Sequence, residues 1–168
     1  MVVSLRKKIK IIVIFILFYF IVKELSYRYF VLNLSPSMKK GIYLLKEIDE
    51  LKKGDVVLID IPLNIREVLY SRGYLPKNIK TLLKEVAAVE GDKIHVTYNK
   101  LYINGEFKGD IAGVDLKGRE LVSFAKDGVL KSDEVFLLGR GENSFDSRYF
   151  GVVKKSKILK KTILIKEL

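Results

Sequence analysis

The chain has 168 residues, enough for one ordinary domain and an appendage, and no Ser/Pro/Gly tract long enough to keep it unfolded. It contains no cysteine, which removes disulfides, thiol nucleophiles and thiolate metal sites together, and its single histidine, His95, leaves a zinc site short of ligands. The net charge of +11 raises a nucleic-acid partner, but the cations flank an N-terminal apolar run and alternate with Ile and Leu near the C-terminus, with no nucleic-acid-binding motif beside them.

The first predicted element is Ile11 to Val22, twelve uncharged apolar residues between Lys10 and Lys23. As a helix this run measures about 18 Å, short of the ~30 Å hydrocarbon core of a bilayer. Lys10 and Lys23 can snorkel toward headgroups and extend the span through Ile9 and Leu25. Tyr27, Tyr29 and Phe30 then fall where an interfacial aromatic belt belongs. The basic start (Arg6, Lys7, Lys8) orients the N-terminus toward the cytoplasm and puts everything after residue 30 on the periplasmic or extracellular side. A cleaved signal peptide has an apolar run of this length, yet it ends in small residues. Here Lys23 to Phe30 is bulky and charged; a buried core helix is a third reading, weakened by the basic cluster directly before it. The sequence thus predicts a cytoplasmic tip and transmembrane anchor over residues 1–30, a domain outside the cytoplasm over 31–168, and membrane lipid as one partner.

Beyond the anchor the pattern turns to strands. Ile42–Leu45, Val56–Ile59, Val86–Val89 and Val135–Leu138 read as buried strands, with Val152–Val153 as a shorter one. Asn104-Gly105, between Lys100–Ile103 and Glu106–Lys108, is the strongest hairpin signal in the chain. Residues 64–83 read as helical or irregular, and 110–132 as an inserted hairpin or loop. Residues 157–165 fit an edge strand, because lysines on such a strand discourage aggregation; they also suit anionic headgroups. The predicted fold class is mostly β.

Three segments carry candidate chemistry. In Asn33-Leu34-Ser35-Pro36-Ser37-Met38, Pro36 stiffens the approach to Ser37. The Ser37 amide and the Ser35 hydroxyl are placed to face a developing oxyanion. On these residues alone, a polar linker between anchor and domain is the favoured reading of Ser-Pro-Ser. In Leu82-Leu83-Lys84-Glu85-Val86 a lone cation enters an apolar run. Burial there would depress its pKa and let the free amine act as a base, although a surface lysine at a strand start has the same appearance. In Gly139-Arg140-Gly141-Glu142-Asn143-Ser144-Phe145-Asp146-Ser147-Arg148, Asp146 and Arg148 are spaced to ion-pair and Ser144 to hydrogen-bond an amine. Alone this is an ordinary polar turn.

Taken in order with the apolar N-terminus, these segments resemble the type I signal peptidases, most of all their conjugative-transfer (TraF-type) branch. The matching stretches are Asn33–Met38 with Gly41-Ile42-Tyr43, then Leu83–Asp92, then Asn143–Gly151. Arg72-Gly73-Tyr74-Leu75-Pro76 has the look of that branch too. The resemblance implies an antiparallel β-sheet catalytic domain whose active site faces the membrane. It implies Ser37 as nucleophile, Lys84 as general base, Ser35 completing the oxyanion hole, Ser144 orienting the lysine, and Asp146 with Arg148 bracing the site. It implies secretory or pilin precursors as substrate and calls for no metal or organic cofactor. Lys39 and Glu90 stand where the family usually has proline, which bears on the shape of the substrate groove.

Other assignments fare worse. Ser37–Lys40 and Ser123–Lys126 fit an S-x-x-K pattern, but no S-D-N or K-T-G partner occurs. His95 alternates onto the polar face of its strand, away from any serine triad. A soluble self-cleaving repressor protease lacks the anchor and would carry a DNA-binding domain. The alternative from another class is a non-catalytic membrane-anchored β domain that scaffolds a secretion or conjugation apparatus.

Overall fold

The computed structural model describes residues 2–168; Met1, the start of the expected cytoplasmic tip, lies outside the described residues. Helix α1 (Val2–Tyr29) runs directly into strand β1 (Phe30–Asn33). Its apolar side chains from Ile9 to Val22 are exposed, Phe15 by 69% and Phe18 by 63%. Among the described residues no helix is long and apolar enough to cross a membrane. The reason lies in the sequence, since the uncharged run of α1 stops at Lys10 and Lys23. The transmembrane helix expected from the sequence is therefore without that support.

The remaining chain is mostly antiparallel β. β1 is followed by β2 (Gly41–Lys46), β3 (Val56–Asp60), helix α2 (Leu63–Ser71) and β4 (Thr81–Ala88). Next come β5 (Lys93–Thr97), β6 (Lys100–Ile103), β7 (Glu106–Asp110), β8 (Gly128–Val129) and β9 (Glu134–Leu138). The short helix α3 (Ser147–Phe150), β10 (Val153–Lys154) and β11 (Ile158–Glu167) complete the chain. Seven strands form one sheet in the order β1-β2-β11-β3-β4-β9-β10, and four form a second in the order β7-β6-β5-β8.

Local chemistry explains the joints. Asn104 and Gly105 both adopt positive φ (53° and 83°), the backbone that a two-residue hairpin between Ile103 and Glu106 requires. Tyr98-Asn99 makes a second such turn between Thr97 and Lys100 with φ of 46° and 60°, without any glycine to announce it. Residues 64–83 divide into α2, an irregular run, and the start of β4, so Thr81 to Leu83 belong to a strand. Between β7 and β8 the chain is irregular apart from a bridge from Val114 to Glu120.

One expectation is overturned. The 157–165 segment is not an edge: β11 is hydrogen-bonded to β2 on one side and β3 on the other. Its lysines are accommodated because they reach acids beyond the sheet surface, Lys161 meeting Asp49 at 2.9 Å and Asp55 at 3.0 Å, and Lys160 meeting Glu47.

Three apolar clusters hold the sheets together. Val57, Ile59, Val86 and Leu137 pack with Ile65 and Leu69 of α2 and Phe150 of α3. Ala88 and Phe136 of the large sheet pack with Ile94, Leu101 and Ile103 of the small one, together with Tyr149. Met38, Tyr43 and Leu83 form the third. This arrangement places the loop after β1, the middle of β4 and the segment after β9 beside one another.

Candidate active site

The loop carrying Ser35 and Ser37 is held by one side chain. The Asn33 amide nitrogen donates to the carbonyls of Ser35 (3.0 Å), Met38 (3.2 Å) and Lys39 (3.0 Å), while its oxygen accepts from the Ser35 N–H at 3.1 Å. The Tyr43 hydroxyl adds a bond to the Lys39 carbonyl at 2.8 Å. With Pro36 fixing its own φ, the loop has little freedom left. Within it, Ser35 Oγ and Ser37 Oγ lie 2.9 Å apart, and the Ser37 N–H points at Ser35 Oγ from 3.2 Å.

Lys84 lies opposite Val57 in the register of β3 and β4 and is only 2% exposed. Strand alternation gives it the same face as Leu82 and Val86, whose neighbours are apolar core. Its Nζ donates to Ser144 Oγ at 2.8 Å. Burial lowers its pKa from the ordinary 10.5 to about 8; nearby Asp146 pulls the value up and Arg148 pushes it down, and burial wins.

Behind the lysine is an ion pair cut off from solvent. Asp146 accepts from Arg148 Nη2 at 2.8 Å, Arg148 Nε at 2.9 Å and the Arg148 N–H at 3.1 Å, and also from the Gly139 N–H at 2.9 Å. Asp146 is completely buried and caps α3. The Ser147 hydroxyl accepts from the Leu137 N–H at 2.9 Å, fastening α3 to β9. A buried pair of this kind persists only because nearly every lone pair and proton is used.

Two glycines bring the halves together. A Cβ at Gly139 would lie 1.9 Å from Ser144 Oγ and 2.9 Å from the Ser37 carbonyl oxygen. One at Gly141 would lie 3.1 Å from the Pro36 carbonyl. Between them the Arg140 N–H donates to the Ser37 carbonyl at 2.7 Å, and the Arg140 guanidinium grips Glu85 of β4 at 2.7 and 2.9 Å. The serine loop, Ser144 and the lysine strand therefore converge around Gly139.

The structure thus joins Ser35 to Ser37, Lys84 to Ser144, and Asp146 to Arg148. No hydrogen bond joins Ser37 Oγ to Lys84 Nζ: the hydroxyl is engaged with Ser35 and the amine with Ser144. Asn33, Gly139 and Gly141 are the residues whose roles sequence reasoning left unassigned. The Gly-x-Gly spacing was the one signal of a close approach. His95 sits apart in β5, partnered by Asp127 at 2.7 Å. Among the described residues no three His, Asp or Glu side chains gather as metal ligands.

The chain, a mostly β domain with a buried lysine amine, belongs to the family described as "Signal peptidase, peptidase S26", whose profile matches residues 5–166. Among its relatives is the "Probable conjugal transfer protein TraF" of Sinorhizobium fredii, 34% identical over 76% of this chain and 72% of that protein. The "Conjugal transfer protein TraF" of Agrobacterium fabrum is 29% identical over 76% of each chain. The "Plasmid transfer protein TraF" of Escherichia coli is 30% identical over 76% of this chain and 77% of that one. A solved signal peptidase I from Enterococcus faecalis V583 overlaps 68% of this chain and 98% of its own, with a TM-score of 0.38 and 20% identity.

Proposed function

We propose that this protein is a membrane-bound serine endopeptidase that removes signal peptides from exported precursor proteins, among them a pilin precursor of a conjugative-transfer apparatus. Ser37 is the nucleophile and Lys84 the general base. The observation that carries the reading is the state of Lys84, buried against apolar core, bonded to Ser144, with a pKa near 8. At pH 7 about a tenth of such amines are uncharged, against roughly one in three thousand for an unperturbed lysine.

In the productive arrangement Ser37 Oγ turns from Ser35 to Lys84 Nζ. It attacks the scissile carbonyl as its proton passes to the amine. The oxyanion takes the Ser37 N–H and the Ser35 hydroxyl as donors. The C–N bond then breaks, the lysine ammonium returns the proton to the departing amine, and the acyl group remains on Ser37 as an ester. Water, deprotonated by Lys84, cleaves that ester and restores the serine. Residues 31–168 form the catalytic unit. α1 anchors it by snorkelling of Lys10 and Lys23, with the N-terminus cytoplasmic and the site on the periplasmic or extracellular side, against the lipid surface.

The test is cleavage by the purified full chain, in micelles or vesicles, of a secretory precursor with small residues before the scissile bond. Wild type is expected to cleave, and Ser37→Ala and Lys84→Ala each to abolish cleavage without loss of fold. Equal cleavage by all of them, or none by the wild type on precursors of its own transfer apparatus, overturns the reading and leaves the non-catalytic scaffold.

A further inference from the structure

Ser144, the partner of the Lys84 amine, is followed directly by Phe145, whose ring is the middle of a run of three. Phe145 stacks on Tyr149 with centroids 4.5 Å apart, and its other neighbour is Tyr74 at 5.8 Å. Tyr74 belongs to the irregular run after α2 and is 36% exposed, so burial alone does not fix it. A polar clamp does. The Tyr74 hydroxyl donates to the Asp115 carboxylate, which also accepts from Arg119 Nε at 2.6 Å and from the N–H groups of Lys117 (2.8 Å) and Arg119 (2.9 Å). The Arg119 guanidinium then covers the Tyr74 ring at 5.3 Å. The same 111–120 segment grips the far end of the stack, where the Ala112 N–H donates to the Tyr149 hydroxyl at 3.2 Å. Arg72 Nη1 ties the run carrying Tyr74 to the Glu120 carbonyl at 2.6 Å.

We propose that Tyr74, locked by Asp115, is a positioning residue that wedges Phe145 and thereby holds Ser144, and through it the Lys84 amine, in place. The 111–120 segment acts as a bracket with one grip on Tyr74 and one on Tyr149. Loosening the Tyr74 grip frees Phe145, lets Ser144 swing away from Nζ, and admits water to the amine. The charged groups facing Lys84 are Asp146 and Arg148, and neither is touched by the bracket's own charges in the contacts above. A solvated amine holds its proton more tightly, so the change reads out as pH dependence. The inference rests on the Ser37–Lys84 reading for its activity readout only.

The experiment uses full-length Tyr74→Ala, Tyr74→Phe and Asp115→Asn. For Tyr74→Ala the acid limb of kcat/KM is expected to move up by about one pH unit, with about tenfold less activity at pH 7 and KM little changed. Tyr74→Phe and Asp115→Asn should move the limb the same way by less, and their double variant by less than the sum of the two, because both break the Tyr74–Asp115 bond. A second readout is independent of turnover: the rise of unfolding stability between pH 8 and 10.5 that Lys84 produces should shrink in the same variants. Limbs and slopes unmoved in Tyr74→Phe and Asp115→Asn overturn the proposal, whatever happens to Tyr74→Ala. If Lys84→Ala leaves the wild-type acid limb in place, the base reading fails, and the stability slope alone decides the role of Tyr74.

Discussion

Replacing Lys84 by methionine should remove activity and, with it, a pH-dependent liability of the fold. In the unfolded chain the amine has its ordinary pKa of 10.5; in the folded chain burial lowers it to about 8. Below pH 8 both states carry the proton and the folded state bears the full cost of a buried charge. Between the two values the unfolded state binds more protons, so stability rises with pH. Across that window the gain is on the order of 3 kcal/mol. Methionine fills similar space without the charge, but leaves the buried Ser144 hydroxyl unpartnered, at roughly 1–3 kcal/mol. At pH 7 the two effects nearly offset, so stability at one pH decides little. The slope decides: denaturant titrations of the full chain in micelles at pH 7, 8, 9 and 10.5 should show wild type gaining about 3 kcal/mol relative to Lys84→Met. Tyr43 and Tyr149, whose phenols burial pushes up, titrate alike in both proteins and cancel. A difference that stays constant from pH 7 to 10.5 would refute the buried, easily deprotonated amine.

Gly139→Ala should cost activity about a hundredfold by displacing both Ser144 and the Ser37 main chain, measured as kcat on a precursor substrate. Ser35→Ala should lower kcat by roughly 10² to 10³ with KM little changed, as loss of one oxyanion donor does; an unchanged kcat would remove Ser35 from the oxyanion hole. Arg148→Ala should destabilise the fold by about 3–5 kcal/mol, because it strands the buried Asp146 carboxylate. Lysine at 148 should not restore it, lacking the forked donors that reach both oxygens.

The strands and the Asn104-Gly105 hairpin were legible because alternation and turn chemistry are local properties. The Tyr98-Asn99 turn was not, since non-glycine residues reach positive φ there only under the demand of the paired strands. β11 was misread as an edge for a related reason: its lysines looked like an exposed rim, and the acids that receive them, Glu47, Asp49 and Asp55, lie more than a hundred positions away. At the site, the separate segments were visible as residue types in order. The Asn33 clamp was not, because its bonds go to backbone carbonyls that any sequence supplies. The bracket around Tyr74 was equally hidden, as it exists only once residues 74, 115, 145 and 149 have been brought together by folding.

β11 carries none of the proposed catalytic residues, yet it is the seam between β2, which leaves the serine loop, and β3, which carries the lysine strand on its other edge. During synthesis Ser37 emerges before β11, and the large sheet stays in two pieces until residues 158–167 slide between them. Completion of the sheet that carries the serine loop and the lysine strand thus waits on the insertion of β11.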